Sequence, residues 1–256
     1  MNYDNPAVII GMGEMGGSFA RGLLRLGHIV VPVLRDTDTK GVARRYPEPL
    51  VALVTTGEAD LDGALADLPA AWTGNTGLVQ NELLPRSWQP HDLVDPTVAV
   101  VWFEKKQGRP ESPIIPTPIA GPRARVLVDA LAAIDVPAFE VTDEDELMYE
   151  LVRKNVYIIT MNVGGLISGG NVHDLWYNHR PLAAEVASDV IDVQAWLTGA
   201  DLDRDRLLAG LVEAIDADPE HGATGRSAPA RLARAVAHAD EAGLEVSRLR
   251  QIQAGL

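Results

Sequence analysis

Gly11, Gly13 and Gly16 stand at the spacing G-x-G-x-x-G, enclosing Met12, Glu14 and Met15 and directly following the apolar run Ala7–Ile10. An amphipathic stretch at 15–26 and a second apolar run at 29–34 come next, which makes a strand, turn, helix, strand unit. In such a unit the first glycine permits a tight turn. The second lets the backbone approach phosphates, and the third lets the helix pack against the strand. The helix start then presents its N–H groups to negative charge. Residues 11–16 are expected to hold the pyrophosphate of a dinucleotide. A glycine-rich turn that only joins two elements is the alternative.

A second group with chemical potential lies in the later half. The chain has four lysines, Lys40, Lys105, Lys106 and Lys154, and the last sits inside an otherwise apolar helical segment. Asn162 follows eight positions later, about 80° around a helix from Lys154, so both side chains are expected to face a cleft between domains. An ammonium beside a carbonyl polarises it and delivers a proton as hydride arrives at carbon. The other reading is a lysine whose stem packs while its head reaches water.

The elements that must position these groups follow from periodicity. Apolar runs at 7–10, 29–34, 50–55, 77–80, 97–103, 113–119 and 137–141 predict strands, several continuous rather than alternating, as a parallel sheet covered on both faces requires. Helical patterns at 15–26, 60–68 and 122–134 fall between them, so residues 1–142 are expected to form a doubly wound α/β domain. Thr142-Asp-Glu-Asp-Glu146 then opens a helix with acid in its first turn. Helices are expected at 143–167, 181–197, 203–217 and 228–242, making 143–256 an all-helical domain. The acidic residues Glu185, Asp189 and Asp192, at helical spacing, are expected to face solvent.

Composition narrows the function. The chain has 256 residues and a formal net charge of −14, which disfavours a nucleic-acid partner because such binding draws its affinity from cations against phosphates. With no cysteine, disulfides and thiolate metal sites are excluded. The six histidines show no ligand spacing, and no metal is expected. No apolar run approaches the roughly 20 residues that span a bilayer. The amino terminus lacks a basic region with an apolar core, so a soluble cytoplasmic protein is expected.

Motif by motif, the chain resembles the ketopantoate reductases, NADPH-dependent enzymes with a Rossmann domain followed by a helical domain like the C-terminal domain of 6-phosphogluconate dehydrogenase. Leu34-Arg35 closes the second strand where that family has an arginine for the 2′-phosphate. Val79-Gln80-Asn81 is similar to its strand-end segment with an asparagine near nicotinamide and substrate. The segment 151–162 resembles its helix bearing the catalytic lysine, here Lys154, with Asn162 as a substrate contact two turns on. Ala242-Gly243-Leu-Glu-Val-Ser247 resembles the closing helix and its exit. The resemblance implies a Rossmann-type fold with a helical second domain, an NADP cofactor (NAD being possible), a small-molecule substrate and a possible homodimer.

The chain also departs from that pattern. Ile158 stands where the family has a second asparagine. Counting back from Gly243, the family's substrate-binding glutamate falls at or near Ser227, which reads most simply as a helix N-cap, a substrate hydroxyl contact being the other reading. The segment 57–69 lacks the lysine and tryptophan that often follow the third strand. Asp36, next to Arg35, sits where an acidic side chain binds a free ribose diol in NAD enzymes. The expected activity is NAD(P)H-dependent reduction of a small keto or related carbonyl substrate, more apolar than ketopantoate itself. A β-hydroxyacid or imine reductase of the wider class, and a non-catalytic nucleotide-binding sensor or assembly protein, are the alternatives.

Overall fold

The sheet begins with a strand buried on both faces. In β1, Ala7–Ile10, Ala7 and Ile9 belong to one apolar core and Val8 to another, because successive side chains point to opposite sides. The computed structural model describes residues 5–256; the first four, part of the expected first domain, lie outside the described residues. The chain forms two compact units, the first ending at Glu150 and the second spanning Leu151–Leu256.

In the first unit, β1 is flanked by β2 (Val30–Val33) and β3 (Val51–Val54), both parallel to it, with Val8 opposite Val31 and Ala52. The sheet continues through β4 (Thr76–Leu78) and β5 (Thr97–Ala99). A two-residue strand β6 (Phe103–Glu104) pairs with β7 (Ser112–Pro113) as a separate hairpin. The chain then returns as β8 (Thr117–Ala120) and ends the sheet at β9 (Ala138–Val141), giving the order β2-β1-β3-β4-β5-β8-β9. Helices α1 (Glu14–Arg25) and α4 (Ala124–Ala132) cover one face, burying Phe19, Leu23, Leu127 and Leu131 against Ile9, Leu53 and Ile119. On the other face α2 (Thr39–Arg45) and Trp72 close over Val8, Val33 and Ala52. A short helix α3, Leu61–Ala66, follows β3.

Two expectations need correction here. The apolar run 97–103 is not one strand: the sheet strand stops at Ala99, and Phe103 belongs to the hairpin. Nor is the run 113–119 one strand, since prolines at 113, 116 and 118 remove the N–H groups that a continuous central strand needs. The sheet is consequently mixed rather than parallel throughout. No helix links β5 to β8, and without a helical crossover the chain comes back antiparallel, Val98 opposite Ala120.

Helix α5 runs Glu144–Ser168 and starts where Asp143 accepts a hydrogen bond from the Glu146 N–H at 2.8 Å. The second unit adds α6 (Arg180–Thr198), α7 (Arg204–Ala217), α8 (Ala228–Ala242) and α9 (Ser247–Ala254). Its only β-type pairing among the described residues is the isolated bridge between Asn171 and Gly222. Helix α6 packs with α8 and α9. The acidic face of α6 is not simply solvated: Glu185 and Asp189 bind Arg248 and Leu249 at the start of α9, and Asp192 pairs with Arg204 at 2.6 Å. Helical spacing marks a common face but does not say which element covers it. No helix among the described residues is long and apolar enough to cross a membrane.

Candidate functional site

The glycine turn is pinned from both neighbouring strands. The Gly11 N–H donates to the Val33 carbonyl at 3.0 Å, and the Thr55 N–H donates to Ile10 at 2.8 Å. The Thr55 hydroxyl is also hydrogen-bonded to the Gly11 carbonyl. Gly11 has φ +93°, a conformation open to glycine and strained for other residues. At Gly16 the requirement is close approach: a Cβ there would stand 2.2 Å from the Gly11 carbonyl oxygen and 2.7 Å from Thr55 Oγ1.

Gly13 is different. Its φ of −73° suits any residue, and a Cβ built on it meets nothing within 4 Å. Neither conformation nor packing demands glycine at this position; its absent side chain leaves space in front of the turn. Gly13 is also the N-cap of α1 and supplies no side-chain cap, so the first-turn N–H groups are not satisfied by a capping side chain.

That space belongs to a cleft of about 700 Å³ at the carboxyl ends of β1, β2 and β3. Because β1 lies between β2 and β3, the chain's direction of winding reverses there, the position where open α/β sheets bind ligands. Gly11, Met12, Gly13, Arg35 and Asp36 line it, together with Thr56, Asp60 and Asp67. Thr56 Oγ1 is buried and has no hydrogen-bond partner in the protein, a polar atom that a ligand would satisfy. The Arg35 side chain is 94% exposed and stands 3.6 Å from Asp60, a loose surface pair that leaves the guanidinium able to turn. Met15 points away and packs against the sheet core, so only its backbone faces the turn's ligand side. Glu14 is engaged by Lys105 at 3.4 Å.

Sequence reasoning missed Thr55 and Thr56. A hydroxyl pair followed by glycine at the end of a buried strand was the available signal. Asn81 occupies the turn after β4 and is half-buried. Its neighbour Gln80 fixes that turn, donating to the carbonyls of Val54 at 2.8 Å and Thr56 at 3.2 Å.

In the second unit, α5 carries Lys154 and Asn162. Arg153 donates to the Gly210 carbonyl on α7 at 3.1 Å and pairs with Glu213 at 2.9 Å. Asn155 donates to Gln194 on α6 at 3.0 Å. With both neighbours anchored on different helices, the direction of Lys154 between them is set. Lys154 is only 8% exposed, and its Nζ lies 5.8 Å from the centre of the Tyr157 ring.

Asn162 is tied into the protein at both ends of its amide. Its Nδ2 donates to the Ala223 carbonyl at 3.3 Å, and its Oδ1 accepts from Arg231 at 2.7 Å. Arg231, on α8 and buried, was not singled out from sequence; 69 positions separate it from Asn162. Ser227 sits at the N-cap position of α8 but in a helical conformation, exposed and with no side-chain cap, so the capping reading is corrected. Ile158 is half-buried one turn after Lys154. Among the described residues no three histidine, cysteine or acidic side chains cluster as metal ligands would.

No family model and no curated relative matches the chain by sequence. Solved structures do. The 2-dehydropantoate 2-reductase of Methylococcus capsulatus matches with a TM-score of 0.70 at 15% identity, over 97% of this chain and 94% of that one. A ketopantoate reductase from Ralstonia eutropha JMP134 gives 0.68 at 17% identity, over 97% and 96%. The fold is that of the ketopantoate reductases. D-mandelate dehydrogenase, solved in complex with NADH, shares it, with a TM-score of 0.67 at 14% identity over 97% and 96% of the two chains. The ketopantoate reductase fold thus accounts for both the sheet and the helices, since each match runs almost end to end.

Proposed function

We propose that the chain is an NAD(P)H-dependent oxidoreductase that reduces a small keto or related carbonyl compound other than ketopantoate. The observation that carries this reading is Gly13. It is a glycine required neither by backbone nor by packing, at the uncapped start of α1, in a cleft at the sheet's switch point. That vacancy, the first-turn N–H groups and the orphaned Thr56 hydroxyl fit a dinucleotide. Gly11, Met12, Gly13, Glu14, Met15 and Gly16 would hold the pyrophosphate through their backbone, and Arg35 would take a 2′-phosphate in preference to a bare ribose. NADP is therefore the favoured cofactor, with Asp36 and Asp60 the features that would admit NAD.

When bound, the reduced nicotinamide would supply hydride to the carbonyl carbon. Lys154 is the group proposed to donate a proton to the carbonyl oxygen, so that the pair of transfers yields an alcohol. Its near-complete burial strengthens its field at a nearby oxygen relative to water. Asn81 would orient the reacting groups, and Asn162, held by Arg231, would contact substrate. Ser227, exposed at the start of α8, is the remaining substrate candidate. Ile158 presents an apolar surface where the family resemblance implies an amide, which favours a substrate apolar on that side.

The assignment includes a dinucleotide-binding domain at 1–142, a helical substrate and dimerisation domain at 143–256, and a cytoplasmic homodimer. The ketopantoate reductase of Staphylococcus aureus, one of the structural neighbours, is dimeric. The test is titration with NADPH and NADH, read by energy transfer from tryptophan to nicotinamide, followed by a screen of 2-keto acids for dinucleotide oxidation. Binding of NADPH with turnover of one such acid supports the proposal. Failure to bind either dinucleotide overturns it.

A further inference from the structure

Glu14 is an awkward residue for a phosphate-holding turn. It stands in the first turn of α1, where a carboxylate is favoured by the helix dipole but competes with any other anion for the same field. The structure answers it with a cation from elsewhere in the chain. Lys105, just after β6, places its Nζ 3.4 Å from Glu14 Oε2, and only 12% of the lysine side chain is exposed. The same ammonium donates to the main-chain carbonyls of Lys106, at 3.1 Å, and Arg109, so its three donors are directed rather than solvated.

The hairpin that carries Lys105 is fastened independently. Glu111, whose side chain is 4% exposed, accepts from the Ser18 hydroxyl at 2.5 Å and pairs with Arg21. Glu14, Ser18 and Arg21 are spaced i, i+4, i+7, so the segment from Lys105 to Glu111 lies along one face of α1. Glu111 supplies the attachment. An ion pair whose carboxylate is 46% exposed is in general a poor source of stability, because solvent screens the attraction and packing the ammonium costs desolvation. What the Lys105–Glu14 pair does supply is neutrality, at the helix end where a dinucleotide would place two negative phosphates.

We infer that Lys105 is a positioning residue for the dinucleotide: by holding and neutralising the Glu14 carboxylate, it makes the 11–16 turn receptive to a pyrophosphate. The inference rests on the cofactor reading above. It predicts a pyrophosphate-specific effect. Lys105→Ala leaves Glu14 uncompensated and weakens NADPH binding about tenfold, the size of a partly buried charge effect at a helix terminus. Glu14→Gln removes the need for compensation, so it binds NADPH as well as or better than the unmodified protein. The double variant returns to within about threefold of it. Competition by 2′-AMP, which carries no phosphate for the turn, is the same in all four proteins.

The experiment measures NADPH dissociation constants for those four proteins by fluorescence, with 2′-AMP competition and thermal melting on each. If Lys105→Ala does not fold, Lys105→Met, which keeps the packed stem, replaces it. Rescue by Glu14→Gln is the outcome a purely structural lysine would not give. Equal NADPH affinity in Lys105→Ala and the unmodified protein overturns this inference alone, as does a double variant no better than Lys105→Ala. Absence of NADPH binding by the unmodified protein overturns both this inference and the cofactor reading.

Discussion

Gly16 lies against Gly11 so closely that a Cβ on the former would stand 2.2 Å from the carbonyl oxygen of the latter, whereas a Cβ on Gly13 would touch nothing within 4 Å. The two glycines therefore separate structure from ligand. Gly16→Ala must displace α1 from β1 and should cost about 1–3 kcal/mol of stability, read as a lower melting temperature. Gly13→Ala should melt within about 0.5 kcal/mol of the unmodified protein while losing dinucleotide affinity at least about tenfold. Should Gly13→Ala bind NADPH and NADH normally, the space before the turn is not where the pyrophosphate lies.

Arg35 tests the choice between cofactors. It is highly exposed and its partner Asp60 is itself 61% exposed, so removing the guanidinium releases little native structure. A charge-assisted contact to a 2′-phosphate contributes about 1.5–3 kcal/mol. Arg35→Ala is expected to weaken NADPH about 10- to 100-fold and leave NADH unchanged. An equal loss for both dinucleotides would show that Arg35 does not read the phosphate.

Lys154 is the residue on which turnover depends in this scheme. Lys154→Ala should lower kcat by about 100- to 10,000-fold, the usual worth of a positioned acid, with NADPH affinity within about threefold of normal. Arg153 and Asn155 keep their own anchors on α7 and α6, so the helix should hold its place in the variant. Unchanged kcat would remove Lys154 from the chemistry.

The Glu111 clamp gives a pH-dependent signature. Burial pushes this carboxyl up, but the Ser18 hydrogen bond, a backbone N–H and the Arg21 guanidinium outweigh it and hold the group below its ordinary value of 4.5. A depressed folded value contributes stability above the unfolded value and loses it as pH falls through the folded one. At pH 7, Glu111→Gln should therefore be less stable by about 1–3 kcal/mol. The difference should begin to shrink as pH falls through 4.5, where the carboxyl of the unfolded chain takes up its proton, and vanish once the native carboxyl, held lower, is neutral as well. A difference constant with pH would mean that shape, not charge, holds the hairpin.

How far such features can be read from sequence depends on whether their cause is local. Ala7–Ile10 and the glycines after it were legible because burial on both faces imposes an unbroken apolar run, and because close approach and positive φ impose glycine. The start of α5 was legible from its acidic first turn. The run 97–103 misled because hydrophobicity records burial, not where a chain leaves a sheet; Trp102 and Phe103 are buried off the strand. Arg231 beside Asn162 and Glu111 beside Ser18 depend on partners 69 and 93 residues away, beyond any local pattern. Met15 could be placed on α1 by spacing, yet only the packed core shows that its side chain faces inward.

Asp189 closes the opposite face of the same problem, since helical spacing marked it as solvent-facing and the fold uses it as a cap. From α6 it accepts the N–H groups of Arg248, at 2.8 Å, and Leu249, at 3.0 Å, satisfying donors at the start of α9. Burial raises its carboxyl above the ordinary 3.8; the two N–H groups pull it down only in part, and Asp192 and Glu185 add like charge. A raised folded value contributes stability below the unfolded value, lost as pH rises through the folded one. Ionised Asp189 thus works against the fold at pH 7. Asp189→Asn keeps an oxygen for both donors without the charge, so it should melt higher than the unmodified protein at pH 7, the gap closing as pH falls toward about 3.8. Asp189→Ala leaves both donors uncapped and should be less stable than Asp189→Asn by about 1 kcal/mol at every pH, since neither variant titrates at this position. Melting curves of the three proteins between pH 3.5 and 7, with those bounds set by the same linkage, decide it. A lower melting temperature for Asp189→Asn at pH 7 would show that the carboxylate's bonds to α9 outweigh its burial.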